Sequence, residues 1–151
     1  MTTASPPSPD HGVRHTAPEN KDSIAAILVV DDDPVVKHLL EVCLPRLGFT
    51  VWSVASGKAA LSFYERHRER IDVVLLDVRM PDMDGPATFR ELLRLNPEVK
   101  CCFMSGYSGQ YTADMLEQMG AYALIDKPFN LDDLSRTLRR IVGQGRLRKT
   151  A

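Results

Sequence analysis

The chain has 151 residues, 44% apolar and 26% charged, with a formal charge of -1 and a pI near 6.4. That balance fits one globular domain able to bury a continuous core and gives no global electrostatic case for a nucleic-acid partner, whose binding rests on many phosphate neutralisations. No apolar run approaches the roughly 18 residues of a membrane span, and no secretory segment opens the chain. Cys43, Cys101 and Cys102 lack metal-ligand spacing, so a cytoplasmic protein without a membrane partner is expected.

Residues 1–22 carry several prolines and almost nothing apolar, the composition of a segment that does not offset its ordering entropy, and are expected to be disordered. Residues 23–143 alternate strand with helix five times, as a parallel sheet with crossover helices requires, and 144–151 are expected to form a flexible basic tail. The buried strands that end near polar residues are Ala26–Val30, Asp72–Leu76, Lys100–Met104 and Tyr122–Ile125.

The first helix places Val36, Leu39, Leu40, Cys43, Leu44 and Leu47 on one face of a 3.6-residue period, with Asp33 as N-cap and Pro34 at the first position. Pro45 lacks the amide for a helical bond, which predicts a kink or early end, and Gly48 closes the turn. Further helices are expected at about Gly57–His67, Pro86–Leu95 and Gln110–Met119. The last, Leu131–Val142, is capped by Asn130.

Polar residues collect at the carboxyl ends of these strands, where ligands bind in open α/β sheets. Asp31, Asp32 and Asp33 are consecutive; Asp33 is accounted for by capping, while burying two such charges together without a counterion costs several kcal/mol or raises a pKa. A hard cation such as Mg²⁺ resolves the repulsion. Asp77 ends the third strand ahead of a turn-rich run, and its carboxylate is placed to act as a nucleophile toward a metal-neutralised phosphoryl group. Asp82 and Asp84 are assigned to the turn and helix start. Ser105, with Gly106 beside it leaving room, offers a hydroxyl to a phosphoryl oxygen, and Lys127 offers an ammonium. The Lys127–Pro128 bond, in a tight turn, is a place for a cis peptide.

The runs Ile27-Leu-Val-Val-Asp-Asp-Asp-Pro34, Leu75-Leu-Asp-Val-Arg-Met-Pro-Asp-Met-Asp-Gly85, Met104-Ser-Gly-Tyr107 and Asp126-Lys-Pro-Phe129 together resemble the receiver domain of two-component response regulators, of the chemotaxis-regulator kind. The resemblance implies an α/β, flavodoxin-like (βα)5 fold, a doubly wound parallel five-stranded sheet of order 2-1-3-4-5. It implies Asp77 as phosphoacceptor, Mg²⁺ held by Asp31, Asp32, Asp77 and the backbone carbonyl of Arg79, and Ser105 and Lys127 as the groups that sense and pair the phosphoryl oxygens. It implies a sensor histidine kinase or phosphotransfer protein as donor. A downstream protein would dock on the helix 4–strand 5–helix 5 face, through which a homodimer is also allowed. Such a domain signals and is not an enzyme on other substrates. So few residues follow the last helix that no DNA-binding output domain is expected.

Leu124 stands where that family usually has Tyr or Phe, with Tyr122 two residues earlier, so output is expected to run through the loop and helix four rather than an aromatic flip. Arg79 and Tyr107 occupy positions that in the family tune the phosphoryl lifetime. Two rivals stay open. Asp31-Asp32-Asp33-Pro34-Val35 also fits a haloacid-dehalogenase-like phosphatase with Asp31 as nucleophile, although the acidic pair that group needs after the lysine follows no strand here. The other is a receiver-like binding module that works without phosphorylation.

Overall fold

The computed structural model describes residues 14–15, 24–106 and 111–149. Five parallel strands, β1 (Ala25–Val30), β2 (Phe49–Val54), β3 (Val73–Asp77), β4 (Cys101–Ser105) and β5 (Ala123–Asp126), pair in the order β2-β1-β3-β4-β5. This is the doubly wound, flavodoxin-like arrangement expected. The strands at 73–77, 101–105 and 123–126 sit one residue later than expected, so Asp77, Ser105 and Asp126 are the last residues of their strands.

The helices α1 (Pro34–Arg46), α2 (Gly57–His67), α3 (Gly85–Leu95), α4 (Ala113–Gln118) and α5 (Leu131–Lys149) cover both faces. On one face Leu40 and Leu44 of α1 and Leu134, Leu138 and Ile141 of α5 pack on Ile27, Val29, Leu75 and Met104. On the other, Phe63 and Tyr64 of α2, Phe89 and Leu92 of α3 and Leu116 of α4 pack on Leu28, Val30, Leu76 and Phe103. Phe89 and Phe103 meet edge to face with centroids 5.6 Å apart. Strands buried on both faces explain why β1, and β3 and β4 up to their last residues, read as continuous apolar runs rather than alternating ones.

Several expectations are corrected. The face of α1 is rotated: Leu39 is 43% exposed while Glu41 is 7% exposed, because Glu41 accepts a hydrogen bond from Ser53 Oγ on β2 and is thereby tolerated under the helix. The helix runs one residue past Pro45, whose missing amide falls in the last turn, and Gly48 closes it at φ +98°. Helix α4 begins at Ala113 because Thr112 has extended backbone and its hydroxyl caps Met115 N–H at 3.2 Å; Gln110, the expected start, lies outside the described residues. Helix α5 is capped by Asn130 Oδ1 as expected, and runs to Lys149, past the expected end at Val142. Within the expected disordered segment, Arg14–His15 pairs antiparallel with Trp52–Ser53 at the β2 edge; the rest of that segment lies outside the described residues.

Candidate functional site

The parallel register brings the strand ends into one rim. Asp77 is opposite Met104, and Val78 N–H donates to Met104 C=O at 2.9 Å. Ser105 is opposite Asp126, and Lys127 N–H donates to Ser105 C=O at 2.7 Å. Asp31 follows β1, with its amide on Val54 C=O at 3.2 Å and its Oδ1 accepting from Asp33 N–H at 2.8 Å. Asp33 caps α1 through Val35 N–H at 2.9 Å, the role expected of it. Residues separated by most of the domain thus share one end of the sheet.

The charge arrangement is tight. Asp31 is fully buried and Asp77 is 7% exposed, while Asp32 is open to solvent. Carboxylate oxygens of Asp31, Asp32 and Asp77 lie within 4.8 Å of one another. Lys127 Nζ contacts Asp31 Oδ2 at 2.7 Å and Asp77 Oδ1 at 3.4 Å. The Lys127–Pro128 peptide is cis. Burial raises the Asp77 carboxyl to about 6 and the Asp31 charge adds to this, while the Lys127 charge and the Arg79 backbone hydrogen bond pull it down. Burial works to lower the Lys127 ammonium, but the hydrogen bond and charge of Asp31, with Asp77 adding to them, hold it above its ordinary value.

Three oxygen donors from carboxylates, one of them solvent-facing, suit a hard divalent cation that keeps some of its water. Ser105 Oγ fits a phosphoryl ligand on the same rim: it is buried and, among the described residues, the one buried side-chain oxygen or nitrogen without a hydrogen-bond partner, so its hydroxyl is free to donate. A Cβ on Gly106 would meet Lys127 Cβ at an ordinary 3.8 Å, so packing does not demand glycine there.

Two residues of the site were assigned only to a turn and helix start by sequence. A Cβ on Gly85 would fall 2.3 Å from the carbonyl oxygen of Asp77, so only glycine lets the α3 start lie against the strand end. Asp84 caps α3 through Ala87 N–H at 2.8 Å and also accepts from Tyr111 OH at 3.0 Å. The Asp-Gly turn signal was legible; its proximity to Asp77 was not. Leu124 packs with the α2–α3–α4 face and Tyr122 with the α1–α5 face, so no aromatic side chain of β5 replaces the missing one. Tyr107 lies outside the described residues.

A family model for the response regulator receiver domain matches residues 27–139. The transcriptional regulatory protein ZraR of Escherichia coli O157:H7 is 42% identical over 115 residues, covering 76% of this chain and 25% of that protein. The sensor kinase CckA of Brucella abortus is 36% identical over 118 residues, 78% of this chain and 12% of the kinase. The chain therefore spans a quarter or less of these relatives' length. Among solved structures, the receiver domain of sensor histidine kinase PA1611 from Pseudomonas aeruginosa PAO1, with a magnesium ion coordinated in its active-site cleft, superposes with a TM-score of 0.71 at 32% identity, covering 79% of this chain and 98% of that one.

Proposed function

The chain belongs to the response regulator receiver domain family of two-component signalling, and from that premise we propose that Asp77 accepts a phosphoryl group from the phosphohistidine of a sensor kinase or phosphotransfer protein. The observation that carries the reading is the Asp77 carboxylate at a central strand end, beside two further carboxylates, 3.4 Å from an ammonium, and on the same rim as a buried hydroxyl without a partner.

With its carboxyl near 6, Asp77 is ionised at neutral pH and its oxygen attacks phosphorus in line. An O–P bond forms as the P–N bond breaks, the electron pair staying on the imidazole nitrogen, which leaves neutral when the other ring nitrogen carries a proton. A Mg²⁺ ion held by Asp31, Asp32, Asp77 and the backbone carbonyl of Arg79 would supply charge neutralisation for the phosphoryl oxygens. Lys127, already bound to Asp31 and Asp77, pairs one of those oxygens, and Ser105 Oγ–H donates to another, gaining the partner it lacks.

The phosphoryl group carries about -1.5 to -2 charge in place of the single carboxylate charge and sets it further out from the strand end, and drawing Ser105 toward it biases the segment leading to α4. A complete switch from 1:99 to 99:1 takes about 5.5 kcal/mol of preference, within reach of several charge-assisted hydrogen bonds. The α4–β5–α5 face then changes its fit for a downstream protein or a second copy of the chain. The test is mass spectrometry after incubation with a small phosphodonor and Mg²⁺. One acid-stable, base-labile adduct on Asp77 is expected; an adduct elsewhere, or none, overturns the reading.

A further inference from the structure

Asp77 and the start of α4 are joined by a second chain of contacts that does not pass through Ser105. Gly85 N–H donates to the carbonyl of Val78, the residue after Asp77, at 2.9 Å, and Gly85 lies against the Asp77 carbonyl itself. The preceding residue, Asp84, divides its carboxylate: Oδ1 caps α3 through Ala87 N–H at 2.8 Å, and Oδ2 accepts from Tyr111 OH at 3.0 Å. The Tyr111 ring packs against the apolar cluster beneath α3 and α4, and the next residue, Thr112, caps α4. Ser105 ends β4 and Tyr111 stands just before the Thr112 cap of α4, so the two residues flank positions 107–110 on either side.

We propose that the Tyr111–Asp84 hydrogen bond is a latch that holds the start of α4 to the phosphoacceptor loop and favours the unphosphorylated arrangement, taking up the coupling that Leu124 leaves vacant on β5. The proposal rests on Asp77 being the phosphoacceptor. Because coupling is reciprocal, a bond that favours the unphosphorylated state must weaken binding of a phosphoryl mimic, and its loss must strengthen it.

The experiment uses the full chain with beryllofluoride and Mg²⁺ as the probe, read by titration and by amide exchange of Ala113–Gln118. Tyr111→Phe is expected to speed α4 exchange in the free protein and to tighten beryllofluoride binding by roughly three- to tenfold, the span of one hydrogen bond. Asp84→Ser keeps an α3 cap but is too short to reach Tyr111 and should behave like Tyr111→Phe, whereas Asp84→Asn keeps the cap through its oxygen and can meet Tyr111 only by donating Nδ2–H to the hydroxyl oxygen, a weaker bond without charge, and should fall between wild type and Tyr111→Phe. Unchanged affinity and exchange in Tyr111→Phe overturn the latch, as does an effect of Asp84→Ser that Tyr111→Phe does not share. A wild type that takes up no beryllofluoride removes the phosphoacceptor reading and the coupling with it, while α4 exchange in the free variant still reports the hydrogen bond on its own.

Discussion

Lys127 Nζ sits 2.7 Å from Asp31 Oδ2, a residue 96 positions earlier, and 3.4 Å from Asp77 Oδ1, so one ammonium stands between carboxylates at the ends of two neighbouring strands. Asp31 has no access to solvent and makes no other ion pair among the described residues. The lysine therefore offsets a repulsion that burial would otherwise magnify.

Replacing Lys127 with Met should destabilise the fold by about 3 kcal/mol, because it leaves two buried carboxylates without their cation. Urea unfolding at pH 7 measures this. Mg²⁺ should recover part of the loss, and an unchanged midpoint would show that the pair contributes nothing.

Asp77→Asn should abolish phosphoryl incorporation and stabilise the protein. A carboxyl at about 6 when folded and 3.8 as its ordinary value binds its proton more tightly in the native state, so its penalty is absent below about pH 4 and complete above about pH 6. The variant's advantage, on the order of 2–3 kcal/mol at pH 7, should fade as the pH falls through that window. Mg²⁺ beside the carboxylate favours its charged form, so phosphoryl incorporation into wild type should fall off only at a pH below about 6. A pH-independent stability difference would contradict the shift.

Ser105→Ala removes a buried hydroxyl that has no partner, so the unphosphorylated protein should be as stable as wild type or more stable by about 1 kcal/mol. The same change should slow phosphoryl incorporation. Thermal melting and a phosphodonor time course separate the two effects, and a clear loss of stability would mean the hydroxyl is bonded after all.

Gly85→Ala forces a methyl to within 2.3 Å of a backbone carbonyl that has no flexible end to move. We expect a stability loss of about 2 kcal/mol or more and at least about tenfold slower phosphoryl incorporation, since the displaced group is the strand end that carries Asp77. A variant that melts and reacts like wild type would show that the close approach is not required.

Mg²⁺ should raise the melting temperature of wild type by binding only the folded state, and Asp32→Ala should blunt that response. Asp31→Asn separates the phosphatase alternative: turnover of an external phosphate ester that this change abolishes would favour it. Absence of any Mg²⁺ response in wild type would remove the metal from the mechanism.

The strands to within a residue of their ends, the caps at Asp33 and Asn130, the cis bond before Pro128 and the five polar residues that share the rim were legible in the sequence. Each depends on neighbours a few positions away or on motifs kept in order along the chain. Glu41 was missed because apolar periodicity counts side chains and not the Ser53 hydroxyl that rewards a buried carboxylate. The tyrosine latch was missed because nothing local to Tyr111 points to Asp84, 27 positions away.

By itself the sequence determined which segments become strands and helices and which side chains stand at their ends, since those outcomes follow from local backbone preference and apolar patterning. Only the tertiary structure decided that Asp77 is pushed up to about 6, that Lys127 is shared by two carboxylates and that Gly85 lies against the Asp77 carbonyl. Those properties come from desolvation, distance and excluded volume, and none of the three exists until parallel register brings residues from separate strands to one rim.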